Sequence, residues 1–194
     1  WAIQNDLFSL CLSGDESVRN YLDFSDAYYD EDSYLASINV AHNLSSLYFR
    51  SFNEEFSKEI RSYAVNYLKK ILYDLGWTPK KSDKHTDALL RGFAISTLGK
   101  LDDDEVIIES ENRYKQFLKN PNSLPPDLIE PVCSVMAWNG NSKTHDELTQ
   151  LYRKAKTMEE KLRFLGAMCS FKDEKLLLKS LNFSQTSEVR SQNM

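Results

Sequence analysis

The residues that could do chemistry are few and scattered. The 194-residue chain holds three histidines, His42, His85 and His145, and three cysteines, Cys11, Cys133 and Cys169. A zinc peptidase site needs two histidines one helical turn apart with a glutamate beside them, as in H-E-x-x-H, so that both imidazoles leave one face toward the metal. Each histidine here stands alone. His42 shares a helical face with Leu35, Ile38 and Phe49, which predicts a hydrogen-bonded core histidine rather than a ligand. His85 and His145 fall in first turns of helices, where exposed polar residues belong. The cysteines sit singly in apolar stripes with no C-x-x-C pair, and so read as buried reduced thiols. None has a base beside it in sequence, as a nucleophile would need, so a small cysteine hydrolase is a weak reading.

The remaining candidates reduce to structure. The run Asp102-Asp103-Asp104-Glu105 lacks the glycine and terminal glutamate of a calcium loop and stands where an N-cap and first-turn acids belong. The 6 glycines are scattered, so there is no phosphate loop. Asn43-Leu44-Ser45 and Asn182-Phe183-Ser184 match the glycosylation sequon but lie in or against predicted helices. Tyr63 and Tyr67 read as core rather than a stacking platform for bases, because no basic patch accompanies them.

The elements that would position these residues are helices throughout, with no convincing alternating strand and no Asn-Gly or Asp-Gly hairpin. The organising stretch runs from Leu75 to Leu101. A long helix, spanning about 53 to 75, stops at Gly76, before Pro79. A new one then begins near residue 84, with Leu90, Phe93, Ala94, Leu98 and Leu101 on one stripe. That stripe predicts buried Leu90 and Phe93 at the centre of its packing, with Arg91 turned away. Upstream, helices are expected over about 3–12, 16–24 and 33–50, the second opened by a capping box at Ser13 and Glu16. Downstream they are expected over about 103–119, from Pro131, from a Thr144/Glu147 box, from a Thr157/Glu160 box, and over about 173–181. Pro131 is placed at a first helical position because it would clash inside a helix begun at Asp127. The irregular helix-pair spacing predicts an all-α fold, an α-solenoid of antiparallel helix pairs of the HEAT or armadillo kind, truncated at its C-terminal end. It reads as one helical domain over 1–194, with helices 1–4 in 1–75 and helix-pair repeats in 84–194.

Composition narrows the function class. With 41% hydrophobic residues, 27% charged and a net charge of −5, the chain is an ordinary globular one, too acidic to suggest nucleic acid or an anionic membrane. No apolar run approaches the ~20 residues of a membrane span. Reduced thiols point to the cytoplasm. The chain opens on Trp1 and closes on a helix start at Ser187, so it is expected to be an excised piece.

Several segments, in order, then carry a family likeness: Asn5-Asp6-Leu7-Phe8-Ser9-Leu10, Gly14, the 31–34 region, Leu75-Gly76-Trp77, Leu89-Leu90-Arg91, Leu124-Pro125-Pro126-Asp127-Leu128, Glu160-Lys161 and Val189-Arg190-Ser191-Gln192-Asn193. Together they resemble the C-terminal helical domain of the thermolysin-like zinc aminopeptidases, of the puromycin-sensitive and tricorn-interacting type. Glu130-Pro131 departs from that pattern, since relatives usually continue the helix there. The resemblance implies a noncatalytic domain that caps the active site and encloses the peptide, while the parent enzyme removes N-terminal residues from short peptides. It implies no cofactor in this chain and zinc in the missing catalytic domain. The implied partners are that catalytic domain, peptide substrates and a large upstream protease complex. Carried over by motif, Arg190 and Gln192 are the peptide-binding candidates. The alternative is a free-standing α-solenoid scaffold that binds another protein.

One prediction follows from the isolated histidines. The purified chain binds no stoichiometric zinc and cleaves no aminoacyl reporter. Metal analysis paired with a fluorogenic assay checks this, and one tightly bound zinc per chain overturns it.

Overall fold

The computed structural model describes residues 2–30, 33–190 and 192. Among them lie ten α-helices and two short 3-10 turns, and no strand, which makes the fold an all-α helical-repeat one. The chain divides into two compact units, Trp1–Ala94 and Ile95–Met194. The first holds α1 (Ala2–Ser13), α2 (Val18–Ser25), α3 (Tyr34–Arg50), α4 (Ser57–Leu75) and the start of α5 (His85–Lys100). The second holds the end of α5, then α6 (Asp104–Lys119), α7 (Pro126–Trp138), α8 (Ser142–Lys154), α9 (Met158–Met168) and α10 (Glu174–Ser184).

In the first unit α3 packs along α4. Val40 and Leu44 on one helix and Ile60, Ala64 and Leu68 on the other recur every four residues and are all but sealed from water. Each large side chain in this seam contributes roughly 1.5–3 kcal/mol by burial. Beneath it lies a buried polar triad: the Tyr21 hydroxyl donates to Gln4 Oε1 at 2.9 Å, and Asn43 Nδ2 donates to the same oxygen at 3.2 Å. Asn43 is thus spent inside the core, and its sequon is unreachable.

Local rules explain most helix starts, with corrections. Ser17, not Ser13, caps α2, accepting from the Asn20 amide, while Ser13 donates to the Leu10 carbonyl and to Asp15. α4 begins at Ser57, so Phe56 is left half exposed outside it. Asp103 caps α6 through the Val106 amide, the structural role expected of that acidic run. α8 opens three residues ahead of its expected box: Asn141 is the N-cap and Thr144 its partner. The Thr157/Glu160 box at α9 is as expected. Pro131 lies inside α7, not at its start. It is tolerated because the carbonyl it leaves unbonded is that of Asp127, in the exposed first turn. Gly99 permits a close approach in the second unit, since a Cβ there would lie 2.5 Å from Val135 Cγ2.

The largest departure is at Arg91. It is the bulkiest of the fully buried side chains, at 0% exposure, whereas Phe93 is only half buried. Its guanidinium donates through Nε to the Gly76 carbonyl at 2.8 Å and through Nη2 to the Leu75 carbonyl at 3.3 Å, and it pairs with Asp83. Gly76, at φ +69° and ψ 170°, takes a positive-φ extended conformation open essentially to glycine alone, which turns the chain at this point. The Lys80 amide and the Arg91 guanidinium together hold the Asp83 carboxyl below its usual range. Two histidines also exchange expected places. His42 is exposed, because the Leu35 and Phe49 face of α3 points outward. His145 is buried at 1% exposure against Phe171, and burial, with Lys179 nearby, lowers its pKa, favouring the neutral ring. Cys169 is exposed and Cys11 half buried; Cys133 alone is the sealed thiol.

Arg91→Ala should therefore destabilise by roughly 2–5 kcal/mol, through a cavity and stranded polar partners. Phe93→Ala should cost only about 1–2 kcal/mol, in line with partial burial. Urea melts of the two variants check the order. Because the Asp83 pKa is lowered on folding, its contribution is full above the ordinary carboxylate pKa and is lost as pH falls through the lowered value. The gap between parent and Arg91→Ala should narrow in that acid range.

Candidate functional site

One side of α4 carries Tyr63, Asn66, Lys70, Tyr73 and Asp74, half-buried or exposed, around the buried Tyr67, at spacings that place them on one helical stripe. Opposite it, the 3-10 turn Asp26–Tyr28 and the following Tyr29 close a groove of about 620 Å³. A second groove of about 400 Å³ continues past Tyr29, Tyr67, Lys70 and Asp74 toward the first turns of α5. Tyr67 is the buried pillar between them: its hydroxyl donates to the Tyr28 carbonyl at 3.2 Å, and its ring meets that of Tyr29 edge-on at 6.4 Å. Tyr73, at 87% exposure, stands free at the rim.

Lys70 is the electrostatic centre. Its ammonium lies 2.9 Å from Asp74 and 3.4 Å from Asp30, and 5.5 Å above the Tyr29 ring. The Asp74 hydrogen bond, aided by Asp30, raises its pKa, so it stays charged at neutral pH. Aromatic faces, hydroxyls and a charge of each sign within a few ångströms suit a polypeptide, whose side chains are mixed and whose backbone offers donors and acceptors. The groove holds no thiol and no imidazole. Elsewhere, burial pushes the Cys133 thiol pKa well up, the reverse of what a nucleophile needs. Among the described residues no group of three His, Cys, Asp or Glu side chains could hold a metal ion.

Arg190 and Gln192, the candidates taken from motif, are both exposed. They follow a tail anchored on α8. Arg153 grips the Glu188 carboxylate with two bonds of 2.7 Å, the Tyr152 hydroxyl donates to the Glu188 carbonyl at 3.1 Å, and Val189 is buried. The Arg153 bonds hold the Glu188 carboxyl below its usual range. Ser191 and Asn193 lie outside the described residues. Sequence reasoning assigned Tyr63 and Tyr67 to the core, which holds for buried Tyr67 and only in part for half-buried Tyr63, and it missed the rest of the α4 stripe as a surface. The available signal was polar Asn66, Lys70 and Asp74 recurring at four-residue steps among the tyrosines, which marks a wet face.

A helical-repeat domain bearing an open aromatic groove is the class this geometry defines. The chain belongs to the ERAP1-like C-terminal domain family, whose model matches residues 1–194. It is 33% identical to Aminopeptidase M1-D of Oryza sativa subsp. japonica, a match covering 98% of this chain and 23% of that protein. It is 29% identical to Aminopeptidase M1 of Arabidopsis thaliana, over 100% of this chain and 23% of the relative. With Probable aminopeptidase 2 of Sulfurisphaera tokodaii the identity is 26%, again over 100% of the chain and 23% of the relative. The chain thus spans about a quarter of the length of these relatives.

Burial separates the groove's frame from its contact surface. Tyr67→Ala should cost about 3 kcal/mol or more, like other buried aromatic truncations. Tyr73→Ala should stay within about 0.5 kcal/mol of the parent, as surface changes do. Thermal melts check both, and equal losses would contradict the assignment of Tyr73 to the surface.

Proposed function

We propose that this chain is the noncatalytic C-terminal domain of a zinc-dependent aminopeptidase, and that it caps the active site and encloses the peptide while another part of the same polypeptide removes N-terminal residues. The observation that carries the reading is the pairing of a full-length family match with relatives named aminopeptidases, of which this chain spans only 23%. The residues described here do not fit a zinc ion, so no step of the reaction is assigned to them and the metal is allotted to the remainder of the parent. Their part is to hold the body of the peptide. The groove along α4 supports that role, with Tyr63 and Tyr73 as walls and Lys70 with Asp74 as paired charges for either end of a polar side chain. Arg190 and Gln192, on the anchored tail, are retained as peptide contacts in the same proposal.

No described helix is long and apolar enough to cross a membrane. The three unpaired cysteines favour the cytoplasm, where short peptides would come from a larger upstream protease complex.

The test uses the full-length parent. Tyr73→Ala and Arg190→Ala should each raise KM several-fold for a peptide of about ten residues, because uniform binding energy is lost. Both should leave turnover of a single-residue aminoacyl reporter unchanged, since it is too short to reach this domain. Equal loss on both substrates, or no change on either, would contradict the enclosing role.

A further inference from the structure

In the second unit the end of α6, the proline turn before α7, the end of α8 and the start of α9 converge on a separate groove of about 680 Å³. Its floor is apolar: Phe117, Leu124, Ile129 and Phe164 are buried, and half-buried Leu151 completes it. Its rim is cationic. Lys154 and Lys156 are exposed and form no ion pair among the described residues. The nearby carboxylates make their hydrogen bonds elsewhere than to these ammonium groups. Glu160 accepts from the amides of Lys156 at 2.8 Å and Thr157 at 3.2 Å, closing the α9 capping box, and those bonds hold it below the usual carboxylate range. Glu159 holds Arg163 at 2.6 Å. Glu160 also feels the nearby charges of Arg163 and Lys156, so one carboxylate faces two lysines, and a chain of net charge −5 keeps a local excess of positive charge at the lip of an apolar slot.

We propose that this groove docks an acidic peptide segment of a partner protein, with one bulky apolar side chain in the floor and flanking carboxylates on Lys154 and Lys156. The volume suits a single large side chain with adjoining backbone. Pro121, Pro125 and Pro126 stiffen one wall, so little ordering accompanies binding. Charge complementarity selects the occupant. A neutral apolar ligand would leave both ammonium groups unused, and a basic segment would be repelled by them. Two free cations are too few to follow a phosphate backbone. This site stands on residues remote in sequence from the α4 groove and is independent of the aminopeptidase reading.

Anisotropy of a fluorescein-labelled peptide, a leucine–phenylalanine pair flanked on each side by glutamates, titrated with the protein, tests the proposal. Saturable binding is expected, in the range of about 10–100 μM and weakening with salt. Replacing the glutamates by lysines, or the apolar pair by glycines, should abolish it. The double variant Lys154→Glu with Lys156→Glu should bind at least about tenfold more weakly at unchanged circular dichroism. Lys154→Gln with Lys156→Gln, which keeps the size and removes the charge, should fall between. Hydrogen exchange on the complex should show protection over residues 121–129 and 151–164. The proposal is overturned by no saturation up to about 1 mM, by equal binding of the lysine peptide, by a double variant that binds as the parent does, or by protection that falls elsewhere.

Discussion

The buried guanidinium of Arg91 is the constraint on which the first unit is built. A cation with no water around it must find fixed acceptors, and here two are carbonyls at the end of α4 and a third is the Asp83 carboxylate just before α5. The last turn of any helix presents carbonyls without partners and a partial negative charge. Arg91 satisfies both needs at once, so the end of α4, the loop and the start of α5 are held as one piece. The positive-φ turn at Gly76 aims the Gly76 carbonyl at Arg91, and the planar fork of arginine, unlike the point charge of lysine, reaches several acceptors together.

Around that joint the helices obey ordinary amphipathic packing, and what is left over becomes surface with a use. The α3–α4 seam consumes one face of α4, leaving the tyrosine, lysine and aspartate stripe to the groove. In the second unit α6 packs on α7 and α8 on α9, and α7 also packs on α9. Their loops gather at one edge, where Glu160 bonds to backbone amides and Glu159 to Arg163, leaving Lys154 and Lys156 without an ion pair among the described residues. In both grooves the polar character is a by-product of how helices are ended and paired. A repeat fold can acquire grooved surfaces in this way, from how its helices are ended and paired.

Membership of the ERAP1-like C-terminal domain family fits this economy. A domain matching 23% of proteins named aminopeptidases need not carry the reaction to matter to it. The enclosing role proposed for it asks only for shape, a mixed polar and aromatic lining and a rigid frame, features that helix pairs can supply.

Helix number, the breaks at Gly76 and near Pro121, and the caps at Asp103 and Thr157 were all legible in the chain, because each depends on neighbours within one turn. Even the failures there were small: the cap moved from Ser13 to Ser17, and α8 opened at Asn141 rather than Thr144. Periodicity located the buried face only in part: Leu90, Ala94, Leu98 and Leu101 are buried as expected of their stripe, whereas Phe56, expected on the inner face of α4, is exposed. It did not decide which face would be covered. His42 lies on the stripe expected of it, but that stripe meets solvent, while His145, expected in water, is sealed beneath Phe171. Arg91 and Phe93 are two residues apart, and no local pattern tells that the arginine goes inside. Its partners at Leu75 and Gly76 lie 16 and 15 residues upstream, and only the folded loop brings their carbonyls within reach. Local chemistry therefore set the elements of this protein, and tertiary packing set which of their faces became core, groove or surface, since burial depends on what arrives from elsewhere in the chain.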